Sequence, residues 1–182
     1  PTYMRAVYIK NNLAQFKNIG QGLWNEVELL ISDNASPDET ELYVRQAIAE
    51  GMPIRYIKNS VNIGGDPNFA QCFNLAQGKY FLLLGDDDFF VDGALEALLK
   101  RLRDNDYGVV HLNTFGFDDH FQTELPIYKQ SDILYSDSGK FLESVANKMT
   151  LISACVVNKE LISHLNAHDF IAKLRSPTED LI

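Results

Sequence analysis

The sequence has few of the features that mark secreted or nucleic-acid-binding proteins. It contains only two cysteines in 182 residues, Cys72 and Cys155, without a CxxC pair or the spacing of a metal site. Its 16 Lys and Arg are outnumbered by 25 Asp and Glu, so the formal net charge is −9. This acidity argues against nucleic acid or an anionic membrane surface as a partner. We expect both cysteines to be buried free thiols in a reducing compartment.

Long apolar runs are also missing. No segment approaches the roughly 20 apolar residues of a membrane-spanning helix, and no signal-peptide pattern opens the chain. We therefore expect a soluble, cytoplasmic chain that reaches a membrane only through parts outside residues 1–182. Since 46% of the residues are hydrophobic and a domain takes about 100 to 200 residues, we expect one domain, incomplete at both ends.

The first 113 residues alternate between helix and strand patterns. Apolar residues recur at helical spacing or form short continuous runs, with turn residues between them. The apolar run at 80–84 is typical of a central parallel strand covered on both faces. The pattern predicts helices near 5–17, 37–50, 69–77 and 92–103, and strands near 27–32, 54–57, 80–84 and 109–112.

This order of elements predicts an α/β fold with a mostly parallel sheet and right-handed crossovers. Ser36 and Glu39 form a capping box for the second helix, with Pro37 at its first position. Beyond residue 114 the pattern is looser. It suggests a helix at 139–147 and strands at 133–135 and 151–157.

Acidic residues follow two of the predicted strands. Asp33 ends the first strand, and Asp86, Asp87 and Asp88 follow the third. Ligands of open parallel sheets gather at the carboxyl ends of the strands, and adjacent carboxylates are usually stabilised by a cation. Mg²⁺ or Mn²⁺ would bind there together with a diphosphate. The alternative is that these aspartates cap the next helix and face water.

The turn before the third helix carries Asn62, Gly64, Gly65 and Asn68. The asparagines either reach a ligand or serve only the backbone conformation of the turn. The glycines suit a turn better than a phosphate cradle, because no GxGxxG or GxxxxGK[ST] pattern is present. The four histidines show no metal-ligand spacing either.

Five short motifs follow one another along the first half of the chain. They are Pro1-Thr2-Tyr3-Met4-Arg5, Asp33-Asn34-Ala35-Ser36-Pro37-Asp38, Asn62-Ile63-Gly64, Ala76-Gln77-Gly78-Lys79-Tyr80, and Leu84-Gly85-Asp86-Asp87-Asp88. In their order and spacing, the sequence resembles family 2 glycosyltransferases of the GT-A fold. The resemblance implies a Rossmann-like, three-layer α/β/α catalytic domain, with a nucleotide-sugar-binding half at 1–113 and an acceptor-side half at 114–182.

The resemblance also implies roles for single residues in binding the donor. Thr2, Tyr3 and Asp33 match positions that hold the base and ribose, and Asn62 and Asn68 are further candidates. The first aspartate of the family's Asp-x-Asp motif is replaced by glycine at position 85. Its role therefore passes to the next residue, and the three aspartates share the ribose and metal roles in a division that the motif does not fix. We assign Asp86 to the donor and Asp87 and Asp88 to the metal.

Late in the chain, Thr178-Glu179-Asp180 resembles the family's Glu-Asp motif. The resemblance implies an inverting transfer, in which Asp180 takes the proton of the acceptor hydroxyl and Glu179 supports it. Judged by the residues alone, an acidic pair before an apolar residue is also a common helix start.

The function expected from the resemblance is a metal-dependent inverting glycosyltransferase of the hexosyltransferase type. It would move a sugar from a nucleotide diphosphate sugar to a glycan or lipid-linked glycan, in surface polysaccharide, lipopolysaccharide or other glycan biosynthesis at the inner face of the cytoplasmic membrane. One alternative is a sugar-phosphate nucleotidyltransferase, although its early glycine-rich segment with a basic residue is absent. Another is a non-catalytic nucleotide-sugar-binding or carbohydrate-binding module whose acidic cluster only holds a cation.

Overall fold

The structure, a computed structural model, describes residues 1–116, 131–148 and 151–175. Helices and strands alternate from the start of this part up to the fourth strand, in the predicted order. The helices are α1 (Ala6–Ile19), α2 (Thr40–Ala49), α3 (Gly65–Leu75), α4 (Ala94–Asp104), α5 (Ser138–Val145) and α6 (Ala167–Arg175). The strands are β1 (Leu29–Asp33), β2 (Ile54–Lys58), β3 (Tyr80–Leu82), β4 (Val109–His111) and β5 (Cys155–Asn158).

Helix α1 supplies much of the core of the first half. Ile9, Leu13 and Phe16 recur at helical spacing and are buried, and they belong to one cluster with Val44 and Ala47 of α2. The side chain of Val44 is completely buried. Packing against α2 therefore places the beginning of α1, and the residues just before it, beside the carboxyl end of β1.

Strands β1 and β2 are parallel, with Leu29 opposite Ile54 and Asp33 opposite Lys58. The start of the chain joins this pair, because Thr2 forms a parallel bridge to Asp33. The backbone N–H of Thr2 donates to the carbonyl of Ser32 at 2.9 Å, and the carbonyl of Thr2 accepts from the next backbone N–H beyond Asp33, also at 2.9 Å. These bonds bring two predicted site residues, Thr2 and Asp33, side by side.

Strands β3, β5 and β4 form a second sheet in that order, and β5 is antiparallel to both of its neighbours. The predicted parallel strand at 80–84 is wrong in two respects. Strand β3 ends at Leu82, and it is antiparallel to its described partner β5. A continuous apolar run indicates burial on both faces, but it does not indicate the direction of the neighbouring strand.

An apolar cavity of about 400 Å³ lies between β1 and β3. Its lining includes Phe16 of α1, Leu30 of β1, Leu83 just after β3, and Leu98 of α4. Asp86 also borders this cavity, but most of the lining is apolar and does not suit a charged ligand. Thr2 and Asp33 lie at the carboxyl end of β1.

The beginnings of two helices differ from the prediction. The predicted capping box of α2 is wrong, and the helix begins at Thr40. The Ser36 hydroxyl does not cap it, because it accepts a hydrogen bond from the backbone N–H of Met4 at 3.1 Å. Helix α3 begins at Gly65, four residues before the predicted start, since proline is tolerated in a first helical turn and Pro67 lies there.

The second half matches the prediction only in part. The helix predicted at 139–147 is present as α5 and a following 3₁₀ turn. The strand predicted at 133–135 is wrong, as these residues belong to no helix or strand, and the one predicted at 151–157 is confined to β5. In the described residues, none of the helices has the length and apolar composition that crossing a membrane requires.

Candidate functional site

The candidate site lies where the start of the chain meets the acidic residues that follow β3. The Thr2 hydroxyl donates to Asp86 Oδ2 at 2.8 Å, and Arg5 Nε donates to Asp86 Oδ1 at 3.0 Å. Arg5 Nη2 also donates to Asp87 Oδ2. Since Thr2 is bridged to Asp33, the fold brings together three predicted donor-binding residues from segments more than 30 residues apart.

The three consecutive aspartates have different surroundings. The Asp86 side chain is 12% exposed and the Asp87 side chain is 53% exposed, so Asp87 presents the more accessible carboxylate. Asp88 accepts a hydrogen bond from the hydroxyl of Ser153, and its carbonyl accepts one from Asn12 Nδ2 at 2.8 Å. Asp88 is therefore bonded to Ser153 of the second half and to α1.

Asp33 is completely buried at the end of β1. Its Oδ1 accepts from the backbone N–H of Ser36 at 2.7 Å, and its Oδ2 accepts from the Tyr56 hydroxyl at 2.6 Å. Burial, together with the hydrogen bond and the charge of Asp33, raises the pKa of the Tyr56 phenol, which stays protonated as a donor. Each carboxylate oxygen can accept two hydrogen bonds, so Asp33 keeps unused accepting capacity.

Two residues beside Asp33 and Thr2 have unusual backbone conformations. Met4 has a backbone φ of 54° and Ala35 one of 64°, in the left-handed region that residues other than glycine seldom adopt. Such conformations cost about 1–3 kcal/mol and concentrate at functional sites. Tyr3, between Thr2 and Met4, is 41% exposed and is available to a ligand.

A network of amide side chains joins β1 to the turn that precedes α3. Asn62 Oδ1 accepts from Asn34 Nδ2 and from the backbone N–H of Gly64, both at 2.8 Å. Asn68 is buried, and its carboxamide accepts from the Ser32 hydroxyl at 2.6 Å and donates to the Ser32 carbonyl at 3.1 Å. Both predicted asparagines thus bond to protein groups that shape the turn.

Two residues of this site, Arg5 and Ser153, have no role that the sequence predicts. Arg5 stands within one of the motifs, so its position was visible although its contacts were not. Ser153 carries no local signal, since its partner Asp88 is 65 residues away. Glu179 and Asp180, to which the sequence assigned proton transfer, lie outside the described residues.

The carboxylate oxygens of Asp86 and Asp87 fit a metal site that is completed by phosphate oxygens of a ligand. They are too few for a site built from protein groups alone. In the parts of the chain that the structure describes, no group of three or more His, Cys, Asp or Glu residues forms a metal cage. Mg²⁺ and Mn²⁺ accept one or two carboxylates when phosphate oxygens complete their coordination. The half-exposed Asp87 and its neighbour Asp86 provide that number of hard oxygen ligands.

The family model and the relatives that match this chain are all described as glycosyltransferases. A family model described as "Glycosyl transferase family 2" matches residues 1–165. The abequosyltransferase RfbV of Salmonella typhimurium is 39% identical over 104 residues, which are 56% of this chain and 31% of that protein. A Campylobacter jejuni enzyme named GalNAc(5)-diNAcBac-PP-undecaprenol beta-1,3-glucosyltransferase is 26% identical over 144 residues, 79% of this chain and 42% of that protein. The chain thus spans less than half the length of either relative.

Two solved structures have a similar fold. Staphylococcus aureus TarS 1–349 in complex with UDP-GlcNAc matches with a TM-score of 0.69 and 15% identity, over 90% of this chain and 45% of that one. The mannosyltransferase PcManGT of Pyrobaculum calidifontis, in complex with GDP-Man and Mn²⁺, matches with a TM-score of 0.62 and 17% identity, over 90% and 44%. At these identities the likeness shows the fold alone, and that fold is GT-A.

Proposed function

Because the chain belongs to glycosyl transferase family 2, we propose that it carries the donor-binding core of an enzyme that transfers a sugar from a nucleotide diphosphate sugar to a hydroxyl group. The observation that carries the proposal is the contact of Thr2 with Asp86 beside the buried Asp33. All three are residues that the sequence predicts to bind the donor. Two proteins of similar fold were solved with nucleotide sugars, which supports the same class of ligand here.

The nucleoside is proposed to lie along the start of the chain. The exposed Tyr3 lines this place, and Thr2 and Asp33 are buried directly beside it. Asp33 keeps accepting capacity and is proposed to take an imide hydrogen of a pyrimidine base once ligand binding uncovers its carboxylate. Asn62 is exposed in the turn that precedes α3, so it is proposed to contact the donor. Asn68 is only 2% exposed, and its proposed role is to position β1 and the turn.

Asp86 and Asp87 are proposed to hold a divalent cation together with the diphosphate of the donor. A bound Mg²⁺ or Mn²⁺ would neutralise the charge that grows on the departing diphosphate. Asp87, with the more exposed carboxylate, is the proposed principal ligand, and Asp86 is proposed to join it or to hold the ribose. Asp88 was also assigned to the metal from the sequence. Because its carboxylate accepts from the Ser153 hydroxyl, we propose that it positions the segment.

The transfer itself is proposed to be inverting. The acceptor oxygen would attack the anomeric carbon from the face opposite the leaving diphosphate, while Asp180 takes the hydroxyl proton and Glu179 supports it. This assignment rests on the motif at 178–180. The proposed acceptor is a glycan or lipid-linked glycan at the inner face of the cytoplasmic membrane, because one relative is named for an undecaprenol-linked substrate.

Calorimetric titration of UDP, dTDP, GDP and CDP, each with and without Mn²⁺, tests the donor site. We expect one nucleotide to bind in a Mn²⁺-dependent way, and Asp87→Ala to weaken that binding by about tenfold or more, since it removes the accessible carboxylate. Asp104→Ala, which removes an exposed aspartate at the end of α4, should bind like the parent. If no nucleotide binds to the folded protein at millimolar concentration, the donor site is wrong.

Turnover then separates a transferase from a binding module. With the nucleotide sugar that binds, Asp180→Asn should keep donor affinity and lose about 10²-fold or more in sugar transfer, because the general base is removed. Transfer can be followed as radiolabelled sugar entering a lipid extract of the source organism. Unchanged transfer by this variant would contradict the role of Asp180.

A further inference from the structure

Arg5 places a positive charge on the same carboxylates that are proposed to face the diphosphate. Its guanidinium donates to Asp86 at 3.0 Å and to Asp87, so that one side chain bridges two acidic residues. The same guanidinium lies 4.0 Å from the centre of the Tyr8 ring. Arg5 is therefore paired on one side with carboxylates and on the other with an aromatic face.

These contacts place one hydrogen bond on each oxygen of the Asp86 carboxylate. One of its oxygens accepts from the Thr2 hydroxyl and the other from Arg5. A divalent cation at Asp86 and Asp87 would compete with the guanidinium for the same oxygens, and the two positive charges would repel each other at close range. A divalent cation that takes these same oxygens thus requires Arg5 to leave them.

The backbone around Arg5 is held on both sides, which leaves the side chain as the movable part. The backbone N–H of Met4 donates to the Ser36 hydroxyl at 3.1 Å, and the backbone N–H of Ala6 donates to Asp38 at 3.1 Å. The Arg5 side chain is itself 35% exposed. A change of rotamer can therefore release the guanidinium from Asp86 and Asp87 without unfolding the start of α1.

We propose that Arg5 is a counter-ion of Asp86 and Asp87 and leaves them when a divalent cation and a diphosphate bind. This inference rests on the proposed function. An arriving diphosphate offers the released guanidinium a new anionic partner. Arg5 consequently weakens binding of the metal alone and recovers a partner when the diphosphate is present. It is a positioning residue that makes the two ligands bind together.

The test measures Mn²⁺ binding alone, without any nucleotide. Electron paramagnetic resonance of free Mn²⁺ gives the affinity of the parent chain, Arg5→Gln, Arg5→Lys and Arg101→Gln. Arg5→Gln should bind Mn²⁺ about tenfold or more tightly than the parent, since its competitor is gone. Arg5→Lys keeps a charge there and should resemble the parent. Arg101, in an exposed ion pair with Asp132, is the matched control and should change affinity less than about twofold.

A second variant locates the gained affinity. Arg5→Gln combined with Asp87→Asn should return Mn²⁺ binding to the weak level of the parent, because the uncovered carboxylate is removed again. Circular dichroism melting confirms that each variant is folded. Equal Mn²⁺ affinity in the parent and Arg5→Gln overturns the proposal, as does a lack of Mn²⁺ binding by every variant.

The same proteins distinguish this proposal from the proposed function. Titration of nucleotide diphosphate with Mn²⁺ into the parent chain reports on the function, and Mn²⁺ binding to Arg5→Gln without nucleotide reports on Arg5. A parent that binds nucleotide, together with an Arg5→Gln variant of unchanged Mn²⁺ affinity, keeps the function and rejects the role of Arg5. Nucleotide should also increase Mn²⁺ affinity less in Arg5→Gln than in the parent.

Discussion

Asp38 connects the beginnings of two helices through a single carboxylate. Its Oδ2 accepts from the backbone N–H of Ala6, and its Oδ1 accepts from the backbone N–H and the hydroxyl of Thr40, at 3.1 and 2.6 Å. Partial burial raises the pKa of the Asp38 carboxyl, but the hydrogen bonds from Thr40 and Ala6 outweigh it and hold the pKa below its ordinary value of 3.8. The charged form therefore stabilises the fold, and it does so next to the candidate site.

We expect Asp38→Ala to lower the free energy of unfolding by about 1 kcal/mol at pH 7, as for the loss of a helix cap. A carboxyl whose pKa is lowered by folding stabilises the protein fully above its unfolded pKa and loses that effect as pH falls through the folded pKa. The difference between parent and variant should therefore shrink below about pH 4. Urea unfolding at pH 7 and pH 3 measures it. An equal difference at both values would rule out the charged carboxylate as the cause.

At the scale of elements, amide side chains hold α3 against β1. Gln71 Nε2 donates to the Ser32 hydroxyl and to Asn59 Oδ1, both at 2.8 Å, and Asn68 bonds to the hydroxyl and the carbonyl of Ser32. Ser32 is completely buried and Asn68 is 2% exposed. Buried polar groups of this kind are stable only while their partners are present.

Asn68→Ala should therefore lower the free energy of unfolding by about 2 kcal/mol, because it leaves a buried hydroxyl and a buried carbonyl with fewer partners. Asn62→Ala is the matched control on the same network. Its side chain is exposed to water, so we expect a loss below about 1 kcal/mol. Urea unfolding of both variants gives the comparison. If the two losses are equal, burial does not determine the strength of this network.

Elements whose signals are local could be predicted from the sequence, and those set by distant partners could not. Helix α1 and strands β1 and β2 lie within two residues of their predicted bounds, because apolar spacing and turn residues define them. The start of α2 was missed because Ser36 bonds to Met4, 32 residues away. The antiparallel partner of β3 was missed because it is β5, more than 70 residues later.

The same distinction applies to the site across the whole molecule. Thr2, Asp33 and Asp86 were predicted together because each stands at a strand end or in a family motif, and they do lie together. The roles of Arg5 and Ser153 depend on contacts across 82 and 65 residues, which no local pattern contains. A sequence motif thus indicates which carboxylates lie close together. Only the fold shows which cationic group or hydroxyl each of them contacts.

One sheet combines strands from both halves of the chain, and on this basis we propose that the halves form one structural unit. Strand β5 belongs to the second half and lies between β3 and β4 of the first half. The backbone N–H of Gly85 also donates to the Ser153 hydroxyl at 2.8 Å, just beside the acidic residues. The single tryptophan, Trp24, packs against the core of the first half and reports on that half alone.

Val156 of β5 is only 2% exposed, and Val156→Asp places a carboxylate in the middle of the shared sheet. Burial of an unpaired carboxylate should cost about 3 kcal/mol or more. If the halves unfold as one unit, Trp24 fluorescence and far-ultraviolet circular dichroism should shift together to lower urea. Val109→Asp, at a 38% exposed position on the neighbouring strand β4, should cost far less. A Trp24 transition unmoved by Val156→Asp would show instead that the first half is stable without β5.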